Sequence, residues 1–573
     1  MTETPVPAAR PPRAWLAPLL AALIALIAGL PGLVALPALD RDESRFAQAT
    51  AQMLETGDYV RISFLDTPRE KKPVGIHWLQ AVSVSALSSP EAREIWAYRL
   101  PSLLGAMLAA AACAWGATTF WGFRGGLLAG AILGASVLLS TEAGIAKTDA
   151  VLCACVTLSM AALARIYARW RSGELAAKAP RLETAALWLG VAFGLLVKGP
   201  VAPMVVALGG LALWAMDRRA PWARRLRWGW GLVTVLAVVG PWAMAITVAT
   251  DGVFWGAAIG GDLAPKLGGG HESHGAPPGL HSLLSPLLLF PATLLLPAAV
   301  MAGVRGWREP GVRFALAWLI PTWLVFEILP TKLVHYPLPA YGALAFLAAA
   351  AVSRPLGRVS RVIGAVLSVL VGLLFGAVAL YAVQTYGDAA DWPVALAAAG
   401  VCALAGLLGA AALTRREPLP WIGATLAAGV VAHAAIVAGV APRLEPLWSA
   451  DRATRALEQA DIPTGSVAAT GFAEPSLVFA LGSGTALTDA NGAAAAILDG
   501  RPAVVEGAER AAFEAALARA GVSARPAAEI DGFNYSRGDP VRLNLYRGLY
   551  PPRNGAPVPA APVPSANAEP VTP

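Results

Sequence analysis

An acidic pair, Asp42-Glu43, follows shortly after the first long apolar stretch of the chain. Carboxylates beside hydrocarbon are costly to keep charged, so ionisable groups in such a place indicate a functional site. Arg41 and Arg45 flank the pair, and their guanidinium groups make the cluster suitable for an anionic ligand as well as for acid–base chemistry. A solvated loop that only ends a helix is the alternative interpretation.

Further ionisable residues recur at the ends of other apolar stretches. They are Glu70, Lys71, Lys72, Lys147, Asp149, Lys198, His271, His274, Lys332 and His335, with Tyr336 beside the last. Lysines and carboxylates that face one side of a membrane form a cage suited to phosphate, because the ammonium groups neutralise its charge. The sequence therefore predicts an anion site with a candidate general base nearby.

These residues also have structural interpretations. Lys71 and Lys72 could extend towards lipid headgroups, Asp149 could cap a helix, and Tyr336 could belong to an interfacial aromatic belt. The histidines of the His-Glu-Ser-His stretch are three residues apart, whereas the zinc-protease motif has them four apart on a helix. A solvated loop therefore suits His271 better than a metal site does.

The composition places these residues in a membrane protein. The 573 residues are 56% hydrophobic and only 14% charged, with a formal net charge of +7, whereas soluble domains carry about 25% charged residues. The basic residues fall in short loops between apolar stretches, which indicates membrane orientation and argues against a nucleic acid partner. The four cysteines lie within apolar stretches and predict neither a disulfide framework nor a zinc site.

Thirteen apolar segments predict membrane spans, because about 20 apolar residues cross a bilayer and fewer suffice when protein shields them. They are Ala14–Leu36, Ala97–Thr118, Gly125–Leu139, Ala150–Tyr167, Ala185–Val197, Val201–Met216, Gly229–Thr250, Leu283–Val304, Phe314–Leu329, Leu338–Val352, Val362–Val383, Val394–Leu413 and Leu419–Val440. Arginine-rich loops alternate with loops that carry the candidate site. The positive-inside rule therefore predicts a cytoplasmic N-terminus, and it places the site and everything after Val440 outside.

The predicted fold class is an all-α polytopic membrane protein with a small C-terminal α/β domain. The membrane domain covers residues 1–441, the α/β domain 442–550, and a Pro- and Ala-rich tail, 551–573, is expected to be disordered. Strands are expected at Ser466–Thr470, Ala503–Glu506 and Val541–Tyr546, and helices at Glu474–Leu481 and Glu509–Ala520.

Two outer loops are long enough to hold structure of their own. In the first, the apolar spacing of Ser44–Glu55 predicts a helix that lies on the membrane surface. The second, Asp251–His281, is rich in Gly, Pro and His and is expected to be mobile.

Seven short motifs occur in an order that resembles the bacterial GT-C glycosyltransferases, which take a sugar from a polyprenyl phosphate. They are Asp-Glu-Ser-Arg-Phe-Ala (42–47), Glu-Thr-Gly-Asp-Tyr-Val (55–60), Lys-Lys-Pro-Val-Gly-Ile-His-Trp-Leu (71–79), Lys-Thr-Asp-Ala (147–150), Leu-Val-Lys-Gly-Pro (196–200), Glu-Ser-His-Gly-Ala-Pro-Pro-Gly (272–279) and Thr-Lys-Leu-Val-His-Tyr-Pro-Leu-Pro (331–339). The groups that the motifs resemble most are the lipid A aminoarabinose transferases and the protein O-mannosyltransferase-like enzymes.

The resemblance implies roles for individual residues. Asp42 takes the position of the catalytic carboxylate of the first loop, and Asp149 takes that of a second acid. Lys198 and Lys332 would bind the lipid phosphate. The other candidates for substrate binding are Glu43, Arg45, Lys71, Lys72, His274, His335 and Tyr336.

A metal site is implied less directly. In the aminoarabinose transferases, a Glu before the Lys-Pro dipeptide and a His of the mobile loop are similar to a metal-binding pair. Here Lys71 stands at that Glu position, Glu70 is one residue earlier, and His274 matches the His. The alternatives are a divalent metal held by Glu70 and His274, or no cofactor, with Lys71 supplying the positive charge.

The implied activity is inverting transfer of a sugar from a polyprenyl (undecaprenyl) phosphate to lipid A or a related cell-envelope glycolipid. It would take place at the periplasmic face of a bacterial inner membrane, among membrane lipids. Transfer to an exported protein is an alternative, and a membrane transporter or flippase of lipid-linked sugar is another. Transporters place ionisable groups near the bilayer midplane and often contain inverted repeats, whereas these acids lie at span ends. The motifs identify neither the sugar nor the acceptor.

Overall fold

The structure of the protein, a computed structural model, describes residues 15–69, 71–173, 181–265 and 275–549. Helices dominate up to residue 434, and a small mixed sheet follows. Eight helices of the described residues are long and apolar enough to cross a membrane. The predicted fold class, a polytopic helical membrane protein with a small C-terminal α/β part, is confirmed.

The predicted spans are helical over most of their described length. The helices are α1 (Leu16–Ala35), α2 (Asp42–Thr56), α3 (Gly75–Leu87), α4 (Ile95–Gly134), α5 (Val137–Ala143), α6 (Asp149–Arg171), α7 (Arg181–Lys198), α8 (Val201–Asp217), α9 (Trp228–Ala249), α10 (Val253–Trp255), α11 (Leu280–Leu288), α12 (Leu296–Gly306), α13 (Pro310–Ile328), α14 (Tyr341–Val352), α15 (Arg358–Tyr386), α16 (Trp392–Ala412) and α17 (Pro418–Ala434). Two short strands in the first outer loop, β1 (Ser63–Phe64) and β2 (Thr67–Pro68), pair antiparallel.

Helix α4 contains the predicted span Ala97–Thr118 and the first ten residues of the predicted span Gly125–Leu139, which ends in α5. Gly122 interrupts it with φ +63°, a backbone conformation that favours glycine. A Cβ atom on Gly126 would lie only 2.9 Å from the carbonyl oxygen of Ala114. The chain therefore doubles back at Gly122, and the two halves pack tightly against each other.

The predicted span Leu283–Val304 is broken. Its chain forms α11, then a 3-10 turn at Ala292–Leu295, then α12. Pro286 and Pro291 lie in this region, and a proline lacks the N–H that a continuous helix needs.

The predicted surface helix of the first outer loop is present as α2, with a different environment. Both its apolar residues, such as Phe46 and Met53, and polar ones, such as Gln48 and Thr50, are buried. Helix α2 packs against α3 on one side and against the C-terminal part of the chain on the other. It is therefore enclosed by protein and does not lie exposed on a membrane surface.

The C-terminal α/β region, Ser449–Tyr546, contains a five-stranded sheet in the order β4-β3-β5-β7-β6. Its elements are α18 (Ser449–Gln459), β3 (Ala468–Thr470), α19 (Pro475–Leu481), β4 (Ala486–Leu487), α20 (Ala490–Leu498), β5 (Ala503–Glu506), α21 (Arg510–Arg519), β6 (Ala528–Asn534) and β7 (Asp539–Tyr546). Strands β4, β3 and β5 run parallel, whereas β7 pairs antiparallel with β5 and β6.

The C-terminal α/β region is packed onto the helices. Phe479 of α19 is buried together with Ala47 and Ala51 of α2, and its ring meets that of Tyr98 edge-on at 5.3 Å between centroids. Gln48 Nε2 donates a hydrogen bond of 2.8 Å to Ser483 Oγ. These contacts place the C-terminal α/β region directly over the N-terminal half of α2.

Candidate active site

A cavity of about 880 Å³ lies where the first outer loop, three other helix ends and the C-terminal α/β region meet. Most of the sequence-predicted site residues line it. They are Asp42, Glu43, Arg45, Lys71, Lys72, Asp149, Lys198, His335 and Tyr336. Lys332 is not part of this lining, and Glu70 and His274 lie outside the described residues.

Glu43 has a structural environment that the sequence did not predict. Its Oε1 accepts a hydrogen bond of 2.8 Å from Arg99 Nε, and its Oε2 accepts one of 2.7 Å from Arg99 Nη2. The backbone N–H groups of Leu39 and Ala146 also donate to this carboxylate. Arg99 is fully buried and donates in addition to backbone carbonyls at the end of α1. The pair thus joins the end of α1, the start of α2, helix α4 and the loop before Asp149.

Asp42, in contrast, is open to the cavity. Its side chain is 43% exposed, and its nearest ion-pair partner is Arg69, with Nη2 3.7 Å from Oδ1. Burial raises the pKa of Asp42, but the charges of Lys72, Arg69 and Lys147 outweigh it and lower the pKa to about 2. Asp42 is therefore ionised at neutral pH and lies next to a wall of cations.

The wall consists of Arg69 and Lys72, which both pack against the ring of Phe46. Arg69 Cζ and Lys72 Nζ each lie 4.9 Å from the centroid of its ring, a distance typical of cation–π contacts. Burial lowers the pKa of Lys72, and the attraction of Asp42 opposes the effect, so that the pKa is about 8. Lys72 is therefore charged at neutral pH and loses its charge under mildly alkaline conditions.

A second group of charges surrounds Asp149 at the start of α6. Lys198 Nζ lies 2.5 Å from Asp149 Oδ1, and Lys147 Nζ lies 3.8 Å from Oδ2. His335 Nε2 lies 3.6 Å from Oδ1, and Lys147 Nζ is 3.3 Å from His335 Nδ1. Burial holds the pKa of His335 well below its usual range, so the imidazole is neutral. Asp149 therefore orients the ammonium groups of Lys198 and Lys147, so its carboxylate does more than cap a helix.

Glu142 is a member of this group that sequence reasoning missed. Its Oε1 lies 3.1 Å from Lys147 Nζ, and its buried Oε2 has no hydrogen-bond partner among the described residues. The available signal was a lone carboxylate in the apolar stretch Val137–Ala143, where a charge is expensive unless it is paired. With Glu142 and Asp149 both present, Lys147 keeps its charge despite its burial.

Two glycines allow Lys198 to reach this group. A Cβ atom on Gly75, the first residue of α3, would lie 2.7 Å from the carbonyl oxygen of Leu196, so α3 can approach the end of α7 only at a glycine. Gly199 then turns the chain with φ +59°, which a residue with a side chain rarely adopts. The ring of Tyr336 lies 5.5 Å from Lys198 Nζ.

Lys332 lies between two lining residues, Thr331 and Leu333, but does not line the cavity itself. Its side chain is buried, and Nζ donates a hydrogen bond to the carbonyl oxygen of Leu329 at the end of α13. The loop that carries it is joined to Gly275 through an isolated β-bridge at Thr331. The predicted role of Lys332 in binding the lipid phosphate stays a prediction.

The C-terminal α/β region completes the cavity. Ala473, Glu474 and Pro475 at the start of α19 line it, as do Ser536 and Arg537 in the turn between β6 and β7. Arg45 also lines the cavity and is an exposed cation. Helix ends therefore form one side of the cavity, and the start of α19 and the β6–β7 turn form the other.

The predicted metal pair, Glu70 and His274, lies outside the described residues. Within residues 15–69, 71–173, 181–265 and 275–549, no group of three or more His, Cys, Asp and Glu side chains is arranged to hold an ion. Lys71 and Lys72 line the cavity, and protonated ammonium groups do not ligate metals. The described residues therefore fit an anion better than a cation.

Comparisons with known proteins show which families and enzymes have similar sequences. Residues 43–250 match the protein family described as dolichyl-phosphate-mannose-protein mannosyltransferase. The undecaprenyl phosphate-alpha-4-amino-4-deoxy-L-arabinose arabinosyl transferase of Aeromonas salmonicida is 27% identical over 320 residues, which cover 55% of this chain and 56% of that protein. The transferase of the same name from Erwinia tasmaniensis is 28% identical over 353 residues, 60% of each chain. The chain thus matches rather more than half the length of these relatives.

The fold is shared over nearly the whole chain. The crystal structure of ArnT from Cupriavidus metallidurans bound to undecaprenyl phosphate covers 92% of this chain and 97% of its own, with a TM-score of 0.72 and 18% identity. The apo structure of the same protein gives a TM-score of 0.70. The resemblance that the seven motifs predict is therefore confirmed: the chain has the GT-C fold and is similar to polyprenyl-phosphate-sugar glycosyltransferases.

Proposed function

We propose that this chain is an inverting glycosyltransferase that moves a sugar from a polyprenyl phosphate to a cell-envelope acceptor, lipid A or a related glycolipid. The observation that carries the proposal is the cavity in which Asp42 faces the ammonium groups of Lys72, Lys147 and Lys198. A carboxylate and several cations at one end of a helical bundle suit a reaction in which a phosphate departs from a sugar.

The lysines supply the electrostatic part of this chemistry. The acceptor oxygen attacks the anomeric carbon, the bond from that carbon to the phosphate oxygen breaks, and the polyprenyl phosphate leaves with the electron pair. Charge that builds on this phosphate is stabilised by preoriented donors. Lys198 and Lys147, which Asp149 and Glu142 hold in place, are the groups best placed to do so.

Asp42 orients the acceptor on the opposite side of the sugar, which gives inversion. With a pKa of about 2, it is a weak general base, because efficient bases have pKa values close to the working pH. An acceptor that is itself a phosphate oxygen has no proton to lose, so positioning by Asp42 suffices. This argument favours a phosphate-bearing glycolipid over a hydroxyl acceptor.

A second candidate is transfer to the hydroxyl group of an exported protein. It is favoured by the match of residues 43–250 to the mannosyltransferase family. A hydroxyl acceptor must lose its proton, and Asp42 would then need a pKa higher than the surrounding cations allow. The transporter interpretation is less well supported, because the relatives that match are transferases.

The location follows from the same interpretation. Multi-pass membrane insertion is supported by the eight apolar helices and the shared fold, and we propose that the membrane is the bacterial inner membrane with the cavity on the periplasmic side. The domain boundaries at 441/442 and 550/551 stay predictions. No step of the mechanism requires a metal ion, and a divalent ion held by Glu70 and His274 stays a prediction.

Transfer by the purified protein in detergent and lipid tests the proposal. Donors would be a panel of undecaprenyl phosphate sugars, with aminoarabinose first, and acceptors would be lipid A and, separately, an exported protein with Ser- and Thr-rich segments. Mass spectrometry should show a gain of one sugar on lipid A. A gain on the polypeptide alone would replace the proposal with the second candidate, and no gain on either acceptor with any donor would contradict both.

A further inference from the structure

We propose that Tyr535, in the turn between β6 and β7 of the C-terminal α/β region, is a positioning residue for Asp42. This inference rests on the proposed function and deepens it, because it gives the C-terminal α/β region a part in catalysis. Tyr535 is far from Asp42 in the sequence and carries no motif. The turn that contains it reaches into the first outer loop and contacts the two residues immediately before Asp42.

The contacts are specific hydrogen bonds. The backbone N–H of Asp40 donates to Tyr535 Oη at 2.7 Å, and Arg41 Nη2 donates to the carbonyl oxygen of Ser536. From the start of α19, the N–H of Ser476 donates to Asp40 Oδ1 at 3.1 Å. The segment that leads into α2 is thus held at both residues, 40 and 41, by the C-terminal α/β region.

This segment needs an external hold. Arg41 has φ +62° and ψ −115°, a backbone conformation that is unfavourable for a non-glycine residue and persists only when the surroundings enforce it. Asp42 is the next residue, and Glu43 after it is fixed by Arg99. The carboxylate of Asp42 is therefore aimed by an anchored residue on each side, while its own oxygen atoms stay open to the cavity.

Loss of the Tyr535 hydroxyl should weaken one of the two anchors, because it removes one of the three hydrogen bonds that hold residues 40 and 41. Without it, Arg41 can relax towards an ordinary backbone conformation, and this rotates the start of α2 and the carboxylate of Asp42. The lysines that hold the phosphate are on other elements, so they stay in place. The effect is therefore expected on the rate of transfer and not on the binding of the donor.

Tyr535→Phe tests this, with Tyr546→Phe as the matched control. The ring of Tyr535 meets that of Trp448 edge-on at 6.4 Å, a contact that a phenylalanine retains. Tyr546, in strand β7 of the same sheet, is fully buried, and its hydroxyl has no hydrogen-bond partner among the described residues. The control thus removes the same atom from the same region without touching the first outer loop.

With undecaprenyl phosphate aminoarabinose and lipid A as substrates, Tyr535→Phe should lower kcat about three- to tenfold, the worth of one hydrogen bond. The KM for the donor should stay within twofold, and Tyr546→Phe should keep the wild-type kcat. An unchanged kcat in Tyr535→Phe, an equal loss in Tyr546→Phe, or a rise in donor KM without loss of kcat would overturn the inference.

Hydrogen exchange separates this inference from the proposed function, because it needs no substrate. Amides of residues 40–45 should exchange faster in Tyr535→Phe than in wild type or Tyr546→Phe, whereas those of residues 95–103 should be unchanged. If wild type transfers no sugar, the proposed function fails, and the exchange result alone decides whether Tyr535 positions this segment. Equal exchange in both variants would contradict the positioning role.

Discussion

The guanidinium of Arg99 donates two hydrogen bonds, of 2.8 Å and 2.7 Å, to the carboxylate of Glu43. Glu43 is the residue directly after Asp42. Both residues are buried: Arg99 is completely inaccessible to solvent, and Glu43 is 2% exposed. Such a pair leaves an uncompensated buried charge when one partner is removed. The start of α2, and with it the candidate catalytic carboxylate, therefore depends on Arg99.

Arg99→Met should destabilise the protein by about 3–5 kcal/mol, because it leaves Glu43 charged and unpaired in the interior. The control is Arg354→Met, which breaks the ion pair with Glu309, whose side chains are 48% and 43% exposed. An exposed pair contributes about 0–1 kcal/mol. The free energy of unfolding of both variants would be measured in detergent, with heat or denaturant used to unfold the protein. Equal losses of stability would show that the buried Arg99–Glu43 pair contributes no more than an exposed ion pair.

The binding of undecaprenyl phosphate should weaken as the pH rises through about 8, because Lys72 then loses its proton. Burial lowers its pKa and Asp42 holds it up, so the charged form is present below this pH and is lost above it. Lys72→Arg should extend tight binding to higher pH, since guanidinium stays protonated. Lys71→Arg leaves Lys72 in place and should keep the alkaline fall. A fall that persists in Lys72→Arg would exclude Lys72 as its cause.

For Lys198 and Lys332, the sequence resemblance and the geometry of the cavity lead to different expectations. The resemblance implies that both bind the lipid phosphate, but only Lys198 lines the cavity. Lys198→Gln should weaken the binding of undecaprenyl phosphate by about 10- to 100-fold, the worth of one hydrogen bond to a charged group. Lys332→Gln should leave affinity within about threefold and lower thermal stability instead. Comparable losses of affinity in both variants would place Lys332 in the site.

Charge placement made much of the candidate site predictable from the sequence. Asp42, Asp149 and Lys198 are ionisable groups at the ends of apolar stretches, where their desolvation cost requires a purpose, and all three line one cavity. Glu43 was predicted by the same argument to bind substrate. Its partner Arg99 lies 56 residues further on, inside an apolar stretch, and only the fold brings the two together.

The C-terminal α/β region was predictable in its parts but not in its arrangement. The strand predicted at Ala503–Glu506 is present at those residues, and the predicted helices at Glu474–Leu481 and Glu509–Ala520 differ by one residue at each changed end. Four elements were missed, α18, β4, α20 and β6; in β6 (Ala528–Asn534), Gly532 and Asp531 interrupt the apolar pattern. The strand order and the contact of Tyr535 with Asp40 depend on long-range packing, which no local pattern encodes.

Gly75→Ala should disturb the site from a distance. Its new Cβ atom would lie 2.7 Å from the carbonyl oxygen of Leu196, so α3 must move away from the end of α7 that carries Lys198. Overpacking of this kind costs about 1–3 kcal/mol. Gly423→Ala in α17 is the control, because its Cβ atom would meet no atom within 4 Å. Thermal unfolding should separate the two variants, and equal stability would contradict the close approach.

A comparison of two carboxylate variants tests whether Asp42 acts in sugar transfer. Transfer of aminoarabinose from undecaprenyl phosphate to lipid A would be followed by mass spectrometry for wild type, Asp42→Asn and Asp66→Asn. Asp66 is an exposed carboxylate of the same loop, and it does not line the cavity. Asp42→Asn should lower kcat by about 100-fold, because the acceptor is no longer held in the reactive position, with Asp66→Asn within twofold of wild type. Wild-type transfer by Asp42→Asn would contradict the account.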